Sequence, residues 1–459
     1  MTTLRRTTRS LMALAAPVVT VQVGLMTMGA VDTAMVGRVS PTALAAVALG
    51  SLYFFMVSIF GVGVLMALDP VVAQGVGARD DVAVARGVQR GLLVAVALTV
   101  WTSVLLWPGR PLLALLRQPE DVVPIAAAYG RTLIPGMLPF FLFVVFRQSL
   151  QAMGRVAPIV VAIVAANLAN VFFNWVLIYG RLGAPVLGAV GSGWATSICR
   201  WLMTLGLLFA AWPLLRPTFL PLRREAASWP PLARMLRIGV PIGLQHQLEF
   251  GAFAVAALLM GTLGTVQMAA HQVAINLASL TFMVPLGVGG ATAVLVGQAI
   301  GRGDPADARR AAIASLITGV TFMAGSAVVM LTIPGALASI YTRDLPVLAL
   351  AAALIPIAGL FQVFDGIQVV AMGALRGVGD TRVPMLLSLF GFWLVGLPLS
   401  VYLGFAAGAG PLGIWWGLVA GLAAVAVMLL FRMRHRFRGP LHRIAVEDVD
   451  AAPSPSFGS

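Results

Sequence analysis

Apolar residues fill this chain in long, continuous runs that short stretches of arginine, glycine and proline interrupt. Runs of about 20 apolar residues are long enough to cross a bilayer as α-helices. Because the runs do not alternate between apolar and polar positions, they predict helices and not strands. The breaks predict twelve helices, over residues 11–37, 43–70, 86–107, 123–147, 156–180, 187–213, 234–260, 266–297, 309–333, 346–372, 383–404 and 409–431.

The composition supports a membrane protein. Of 459 residues, 60% are hydrophobic and 10% are charged, and the mean hydropathy is +0.97. A soluble fold does not bury so large an apolar fraction, so we expect an all-α polytopic membrane protein in contact with membrane lipids.

The net charge of +14 comes from thirty basic residues, all of them arginine, which fall mostly between the apolar runs. This placement points to membrane topology and not to nucleic acid as a partner. With the N-terminus in the cytoplasm, 23 arginines lie in inner loops and tails and six in outer loops, with Arg200 inside a helix. Short cytoplasmic loops carry an excess of arginine, so we predict that both termini are cytoplasmic.

The second half of the chain repeats the first at an offset of 224 residues. The coinciding positions are Pro17 and Pro241, Gly37 and Gly261, Ala45–Ala46 and Ala269–Ala270, Gly63 and Gly287, Gln74 and Gln298, Gly77 and Gly301, and Asp80 and Asp304. Each half holds six predicted helices, an even number, so both have the same orientation in the bilayer. This is the parallel-repeat arrangement of transporters that rock two bundles around a central cavity.

The repeat predicts four regions along the chain. Residues 1–213 form an N-terminal six-helix lobe, and residues 232–432 form a C-terminal six-helix lobe. A proline-rich cytoplasmic linker over 214–231 joins them. Residues 433–459 form a tail that is basic at first and then disordered.

Asp32 is an acid inside the first apolar run. A charged side chain in a bilayer costs about 2.5 to 3.5 kcal/mol on insertion scales, so an intramembrane acid indicates ion or substrate handling. We predict a protonation or cation site, the alternative being packing against a neighbouring hydroxyl or amide. Asn167, Asn170 and Asn174 share one face of the fifth helix. They serve interhelical hydrogen bonding, a network with Asp32, or both.

Two further acids, Glu249 and Asp365, lie inside apolar runs of the second half. The position equivalent to Asp32 at the repeat offset is Ala256. The two lobes are therefore predicted to do different work.

Other polar residues near these acids have both structural and functional interpretations. Gln245 and His246 precede Glu249 by one helical turn and predict a polar patch, although a single histidine is more often structural. Arg200 needs a carboxylate or carbonyl partner, so we expect a structural ion pair or a contact in the transport path. Asp69 and Gln74, near the cytoplasmic end of the second helix, are expected to be solvated.

Several function classes are disfavoured. A phosphate-binding loop of the type GxxxxGK[ST] is absent, as is lysine, so energy from bound ATP is not expected. The single cysteine, Cys199, and the spacing of the four histidines do not fit a metal site. We find no clustered constellation typical of a membrane enzyme and expect no cofactor.

Three segments together resemble the multidrug and toxic compound extrusion (MATE) family, on its NorM-like branch. They are VDTAMVGRVSPTALAAVALG, HQVAINLASLTFMVPLGVGGATAVLVGQAIGRGD and QVVAMGALRGVGDTRVP. The resemblance implies two six-helix lobes and export of small organic cations in exchange for H⁺ or Na⁺. We expect a monomer in a bacterial cytoplasmic (inner) membrane.

The resemblance also implies roles for the acids. Asp32 matches the N-lobe acid of the family, and Asn170 and Asn174 match its partners. Glu249 and Asp365 resemble the carboxylates of the C-lobe cation site, which implies a possible monovalent cation there.

One position departs from the family pattern. The sodium-linked branch tends to have a tyrosine one turn before the acid of the tenth helix, and this chain has Phe361. The coupling ion, H⁺ or Na⁺, therefore stays open. Phe361, Phe364 and Met28 are candidates for lining the substrate cavity, since methionine and phenylalanine suit a site that repacks around varied ligands.

The leading hypothesis is a secondary antiporter that exports cationic amphipathic compounds by alternating access of the two lobes. The main alternative is a flippase or exporter of an endogenous lipid-linked or anionic metabolite, which an arginine-lined cavity would favour. The predicted helices contribute mainly acids, with Arg200 as the principal exception. A channel fits a two-lobe cleft less well.

Overall fold

The structure, a computed structural model, describes residues 2–115, 119–444 and 446, and the residues it describes form helices without strands. Twelve long helices follow one another: α1 (Thr2–Val36), α2 (Pro41–Gly77), α3 (Asp81–Leu106), α4 (Val123–Ala152), α5 (Ala157–Tyr179), α6 (Gly188–Ala210), α7 (Trp229–Leu263), α8 (Thr265–Gly301), α9 (Pro305–Thr332), α10 (Leu345–Gly377), α11 (Arg382–Ala406) and α12 (Gly410–Arg438). Short helices occupy Gly109–Leu115, Trp212–Phe219, Arg224–Ala227 and Pro334–Ser339.

Within the described chain, eleven of the long helices are long and apolar enough to cross a membrane by themselves. The twelfth span is α6 taken together with Trp212–Phe219, which bends away from it by 88°. The expected all-α polytopic fold is therefore confirmed. The predicted disorder of the tail concerns residues 447–459, which lie outside the described residues.

Helix α2 extends beyond its predicted end at residue 70 because it consists of two pieces, Pro41–Leu65 and Leu68–Gly77. Met66 and Ala67 form the break between them. The second piece packs on α3 and α4 of its own lobe and on α8 of the C-terminal lobe.

The predicted linker is partly helical and is fastened to the N-terminal lobe by Gln89 of α3. The Gln89 amide Nε2 donates to the carbonyl oxygens of Thr218 and Pro221, each at 3.1 Å. Its Oε1 accepts from the Arg223 backbone N–H at 3.0 Å. The lobe boundaries at residues 213 and 232 stay a prediction.

The two lobes meet along a seam at the end of the bundle that carries the N-terminus of α1 and the C-terminus of α12. Glycines allow the close approach of helices there. A Cβ atom on Gly63 of α2 would lie 2.6 Å from Gly243 Cα of α7, and one on Gly239 would lie 2.3 Å from the Val64 carbonyl oxygen. Any side chain at these positions would force the lobes apart.

Two glutamines related by the repeat fasten the seam reciprocally. Gln74 of α2 donates from Nε2 to the Gly377 carbonyl oxygen at 2.9 Å, and Gln298 of α8 donates to the Ala152 carbonyl oxygen at 2.8 Å. Gly377 and Ala152 are the last residues of α10 and α4. Carbonyls at helix C-termini lack partners in their own helix, so each glutamine satisfies such a carbonyl in the opposite lobe.

The glycine that follows each glutamine by three residues makes the same contact in the two lobes. A Cβ atom on Gly77 would lie 2.1 Å from the Gln298 carbonyl oxygen, and one on Gly301 would lie 2.1 Å from the Gln74 carbonyl oxygen. The seam therefore has approximate two-fold symmetry, as the sequence repeat requires.

The expectation that Asp69 and Gln74 are solvated is wrong. Their exposed fractions are 0% and 1%, since α8 and α10 of the opposite lobe pack on the second piece of α2. Asp69 Oδ2 lies 3.2 Å from Arg376 Nε in an ion pair across the seam. Nearby, Arg147 donates from Nη1 to Gln22 Oε1 at 3.0 Å.

Candidate ion and substrate sites

Asp32 lies in the last turns of α1 and is 5% exposed. Asn170 and Asn174 of α5 donate from Nδ2 to Asp32 Oδ1 at 2.9 and 2.6 Å. Thr196 of α6 donates from Oγ1 to Asp32 Oδ2 at 2.8 Å. Three neutral donors from two helices therefore hold both oxygens of the carboxylate.

Close packing of α1 against α5 positions this site. Gly24 has no room for a side chain, because a Cβ atom there would lie 2.3 Å from Ile163 Cγ2. Asn167 donates from Nδ2 to the Gly24 carbonyl oxygen at 3.0 Å, and Tyr179 donates to the Met35 carbonyl oxygen at 2.7 Å. The two helices are thus joined above and below Asp32.

The three asparagines of α5 consequently have different roles. Asn170 and Asn174 contact Asp32, whereas the Asn167 amide binds the backbone and does not contact the carboxylate. The amide oxygens of Asn170 and Asn174 are buried and have no hydrogen-bond partner. Two unused acceptors therefore lie next to the Asp32 carboxylate.

Arg200 follows Thr196 by one turn of α6 but is not among the hydrogen-bond donors to Asp32. Its guanidinium carbon lies 4.2 Å from the ring centroid of Phe54 and 5.0 Å from that of Phe140, a geometry that favours cation–π attraction. Aromatic rings thus take the place of the ion pair expected for Arg200.

In the C-terminal lobe, a hydrogen bond links Glu249 of α7 to α10, the helix that carries Asp365. Gln368, also on α10, donates from Nε2 to Glu249 Oε1 at 3.1 Å. Asp365 is 7% exposed, whereas Glu249 is half-buried. The structure therefore links Glu249 to the helix that carries Asp365, and the role of the two acids in a cation site stays a prediction.

The polar patch predicted around Glu249 is only partly formed. His246 is half-buried, and Gln245 is buried with its amide nitrogen against the Met372 sulfur. The hydrogen-bond partner of Glu249 is Gln368, from a different helix.

Two of the three candidate cavity residues lie in cores. Phe361 is 2% exposed, and its ring packs edge-on against Phe253 and Trp415 at centroid distances of 5.8 and 6.0 Å. Met28 is 8% exposed within the N-terminal core. The prediction that Phe361 and Met28 line a cavity is wrong in this conformation. Phe364 is half-buried against the C-terminal core.

Sequence reasoning missed Thr196 and Gln368, although helical spacing could have indicated both. Thr196 precedes Arg200 by four residues, and Gln368 follows Asp365 by three, so each shares a helical face with a residue already singled out. Among the described residues, no cluster of three or more histidine, cysteine or acidic side chains could hold a metal ion.

Two helical lobes around buried carboxylates define a polytopic membrane transporter of the two-lobe class. A sequence model of the MatE family matches residues 17–176 and 241–402, one segment in each lobe. The chain belongs to the MatE family, and it is a transporter and not an enzyme.

Bacterial relatives resemble almost the whole chain. "Probable multidrug resistance protein NorM" of Mesorhizobium japonicum is 39% identical, over 95% of this chain and 95% of that protein. "Multidrug resistance protein PmpM" of Pseudomonas aeruginosa is 37% identical, over 98% of this chain and 96% of that protein.

Solved structures share the fold at lower identity. A eukaryotic MATE transporter, AtDTX14, superimposes with a TM-score of 0.87 at 20% identity, over 95% of this chain and 98% of that one. An outward-facing multidrug resistance transporter of the MATE family superimposes with a TM-score of 0.84 at 18% identity, over 94% of this chain and 96% of that one.

Proposed function

We propose that this protein is a secondary antiporter of the bacterial inner membrane that exports cationic amphipathic compounds in exchange for H⁺ or Na⁺. The observation that carries the proposal is the Asp32 carboxylate, held inside a membrane helix bundle by neutral donors from α5 and α6. The multidrug resistance proteins that resemble nearly all of the chain support a drug-like substrate.

The surroundings of Asp32 suit reversible proton binding. Three donors stabilise the ionised carboxylate, and burial in an apolar bundle favours the neutral acid, so the two effects oppose each other. When Asp32 takes up a proton, its new O–H needs an acceptor. The unused amide oxygens of Asn170 and Asn174 supply one after rotation of an amide group.

Glu249 and Asp365 suit a positively charged ligand, either the coupling cation or the cationic group of the substrate. Two acids on helices that a hydrogen bond links repel each other when both are ionised, and a bound cation relieves that repulsion. Gln368 orients Glu249 by a hydrogen bond from the same helix that carries Asp365.

The seam supports alternating access. The hydrogen bonds of Gln74 and Gln298 and the Asp69–Arg376 ion pair join the lobes at the end that carries both termini. With the termini in the cytoplasm, as the arginine distribution predicts, this conformation is closed toward the cytoplasm. Breaking the seam opens access from the cytoplasm. Inward movement of one proton supplies about 2.3 kcal/mol per 100 mV for that cycle.

The test is efflux of a cationic dye from vesicles that contain the purified protein, first under an imposed proton gradient and then under a sodium gradient. We expect saturable efflux that one gradient drives, and loss of that efflux in Asp32→Asn. The matched control is Asp121→Asn, since Asp121 is an exposed acid outside the long helices. Full coupled efflux by Asp32→Asn at normal protein levels would refute the role of Asp32. Unsaturable flux independent of both gradients would refute the antiporter.

A further inference from the structure

We propose that a groove between the start of α9 and the end of α12 binds the anionic headgroup of a membrane phospholipid. The groove has a volume of about 350 Å³ and lies at the end of the bundle that carries both termini. Its lining combines three arginines, Arg309, Arg434 and Arg438, with the apolar side chains of Ile313, Met433 and Phe437.

The neighbours of these arginines along the chain pair with carboxylates, whereas within the described residues the arginines of the groove do not. Arg302 pairs with Asp307 at 2.8 Å, and Arg432 pairs with Asp380 at 2.7 Å. Within residues 2–115, 119–444 and 446, no carboxylate pairs with the three arginines of the groove. Three guanidinium groups around one groove leave positive charge that a phosphate group complements, and arginine binds phosphate oxygens in a forked geometry.

Along α9, a position suited to a lipid headgroup is followed by positions suited to a lipid acyl chain. Arg309, Ile313 and Ile317 follow one another at intervals of four residues and therefore lie along one stripe of the helix. Ile313 and Ile317 are 52% and 55% exposed, toward the side where lipid surrounds the bundle. A lipid with its phosphate at Arg309 would lay an acyl chain along the two isoleucines.

Helix α12 also has an apolar part followed by a basic part, but here the arginines come at the C-terminal end of the helix. Its apolar run ends near Phe431, and arginines follow at alternate positions from Arg432 onward. Met433 and Phe437 form the apolar side of the groove, and each directly precedes one of its arginines, Arg434 and Arg438. Basic pockets between membrane helices at the cytoplasmic surface suit anionic lipid headgroups. A free phosphate would use only the arginines, so the apolar lining favours a lipid.

The proposal is tested by native mass spectrometry of the full chain in detergent, titrated with phosphatidylglycerol, phosphatidylethanolamine or inorganic phosphate. We expect phosphatidylglycerol to bind more tightly than phosphatidylethanolamine. The triple variant Arg309→Gln, Arg434→Gln, Arg438→Gln should bind phosphatidylglycerol at least about tenfold more weakly, given about fivefold per arginine near a membrane surface.

The matched control carries the same change of net charge at the other end of the bundle: Arg38→Gln, Arg181→Gln and Arg343→Gln, all at exposed positions. It should retain the affinity of the unmodified protein within about twofold. Equal losses in both triple variants, or no loss in either, would overturn the proposal. So would inorganic phosphate that displaces phosphatidylglycerol at the same concentration, because the groove would then hold a free anion only. If the triple variant is not monodisperse, the single variant Arg434→Gln replaces it, with a smaller expected loss of affinity for phosphatidylglycerol.

The acidic residues beyond position 446 supply a further arm of the test. The sequence there contains Glu447, Asp448 and Asp450. A chain that ends at residue 446 should bind phosphatidylglycerol with unchanged affinity. A gain in affinity would identify this acidic segment as the occupant of the groove and would contradict the proposal. None of these outcomes depends on which compound the protein transports.

Discussion

Gln74 and Gln298 occupy equivalent positions in the two lobes and make equivalent hydrogen bonds across the seam, whereas the equivalent of Asp32 is Ala256. The ion pair of the seam also has no equivalent in the other half of the repeat. Asp69 and Arg376 correspond to Ala293 and Ala152 at the offset of 224. The glutamine and glycine contacts that close the lobes are therefore duplicated, whereas the buried charges of Asp32 and of the Asp69–Arg376 pair are not.

This difference has a physical reason. Two similar lobes that close around an axis bury the same backbone ends in each other, so both need a glutamine and a glycine at the same place. A buried acid such as Asp32 has no such requirement, because a second buried charge would add its own desolvation cost without adding a contact. Duplication thus preserves the closure, whereas Asp32 stands in one lobe only.

The largest expected effect on the seam is that of Asp69→Asn. It leaves the Arg376 guanidinium, which is 11% exposed, without its carboxylate. Loss of one partner of a buried pair costs about 3–5 kcal/mol. We expect a less stable closed state, measured as faster thiol labelling of Ala73→Cys, a buried seam position, in a Cys199→Ser background.

The partner substitution sharpens this prediction. Arg376→Gln should act in the same direction, and the double variant with Asp69→Asn should lose less than the sum of the two single losses. Unchanged labelling in both single variants would mean that the ion pair does not hold the seam.

The next effect tests the symmetry of the closure. Gly77→Ala and Gly301→Ala each place a Cβ atom 2.1 Å from a carbonyl oxygen of the opposite lobe. We expect each to destabilise the closed state by about 1–3 kcal/mol and to slow efflux to a similar degree. Gly325→Ala on α9 is the control, since no atom lies within 4 Å of its Cβ position. A defect in only one of the two seam variants would break the symmetry.

A smaller effect is expected for the glutamines. Gln74→Leu and Gln298→Leu each remove one hydrogen bond across the seam, worth about 0.5–1.5 kcal/mol. Gln74 also accepts from the Ile444 backbone N–H at 2.7 Å, so its substitution should cost slightly more. Labelling of the same seam cysteine gives the comparison, and a reversed order of the two effects would contradict it.

The smallest effect concerns Asp80, which caps α3 as Asp304 caps α9. Partial burial opposes ionisation of Asp80, but the Ala83 N–H and Arg443 outweigh it and hold its pKa below the usual value. Its stabilising effect is therefore complete above the unfolded-state pKa of about 3.9 and is lost as the pH falls through the lower folded-state value. Because the pair is exposed, it is worth at most about 1 kcal/mol.

The measurement is thermal unfolding of the protein and of Asp80→Asn from pH 7 to pH 3. Asparagine keeps the helix cap, so the variant isolates the charge. The variant should be less stable at pH 7, and the difference should shrink as the pH falls below the unfolded-state pKa of about 3.9. A difference that stays constant down to pH 3 would assign it to the cap and not to the charge.

The sequence by itself determined the number and class of the helices, the repeat and the acids worth examining. Apolar runs of membrane-spanning length leave few alternatives to helices, because every backbone group in a bilayer needs an internal partner. A hydrogen-bond network of Asp32 with Asn170 and Asn174 could be predicted, since a carboxylate and amides inside apolar helices require polar partners.

The tertiary structure decided which polar side chains share a site. Asn167 and Asn170 lie on the same helical face, yet only the close approach of α1 at Gly24 directs Asn167 to the backbone. Asp69 looked solvated because its own helix end is polar, and the opposite lobe buries it. Phe361 looked like a cavity residue until its aromatic neighbours placed it in a core. Helical spacing fixes the direction of a side chain from its own helix, but packing between helices decides what that side chain meets.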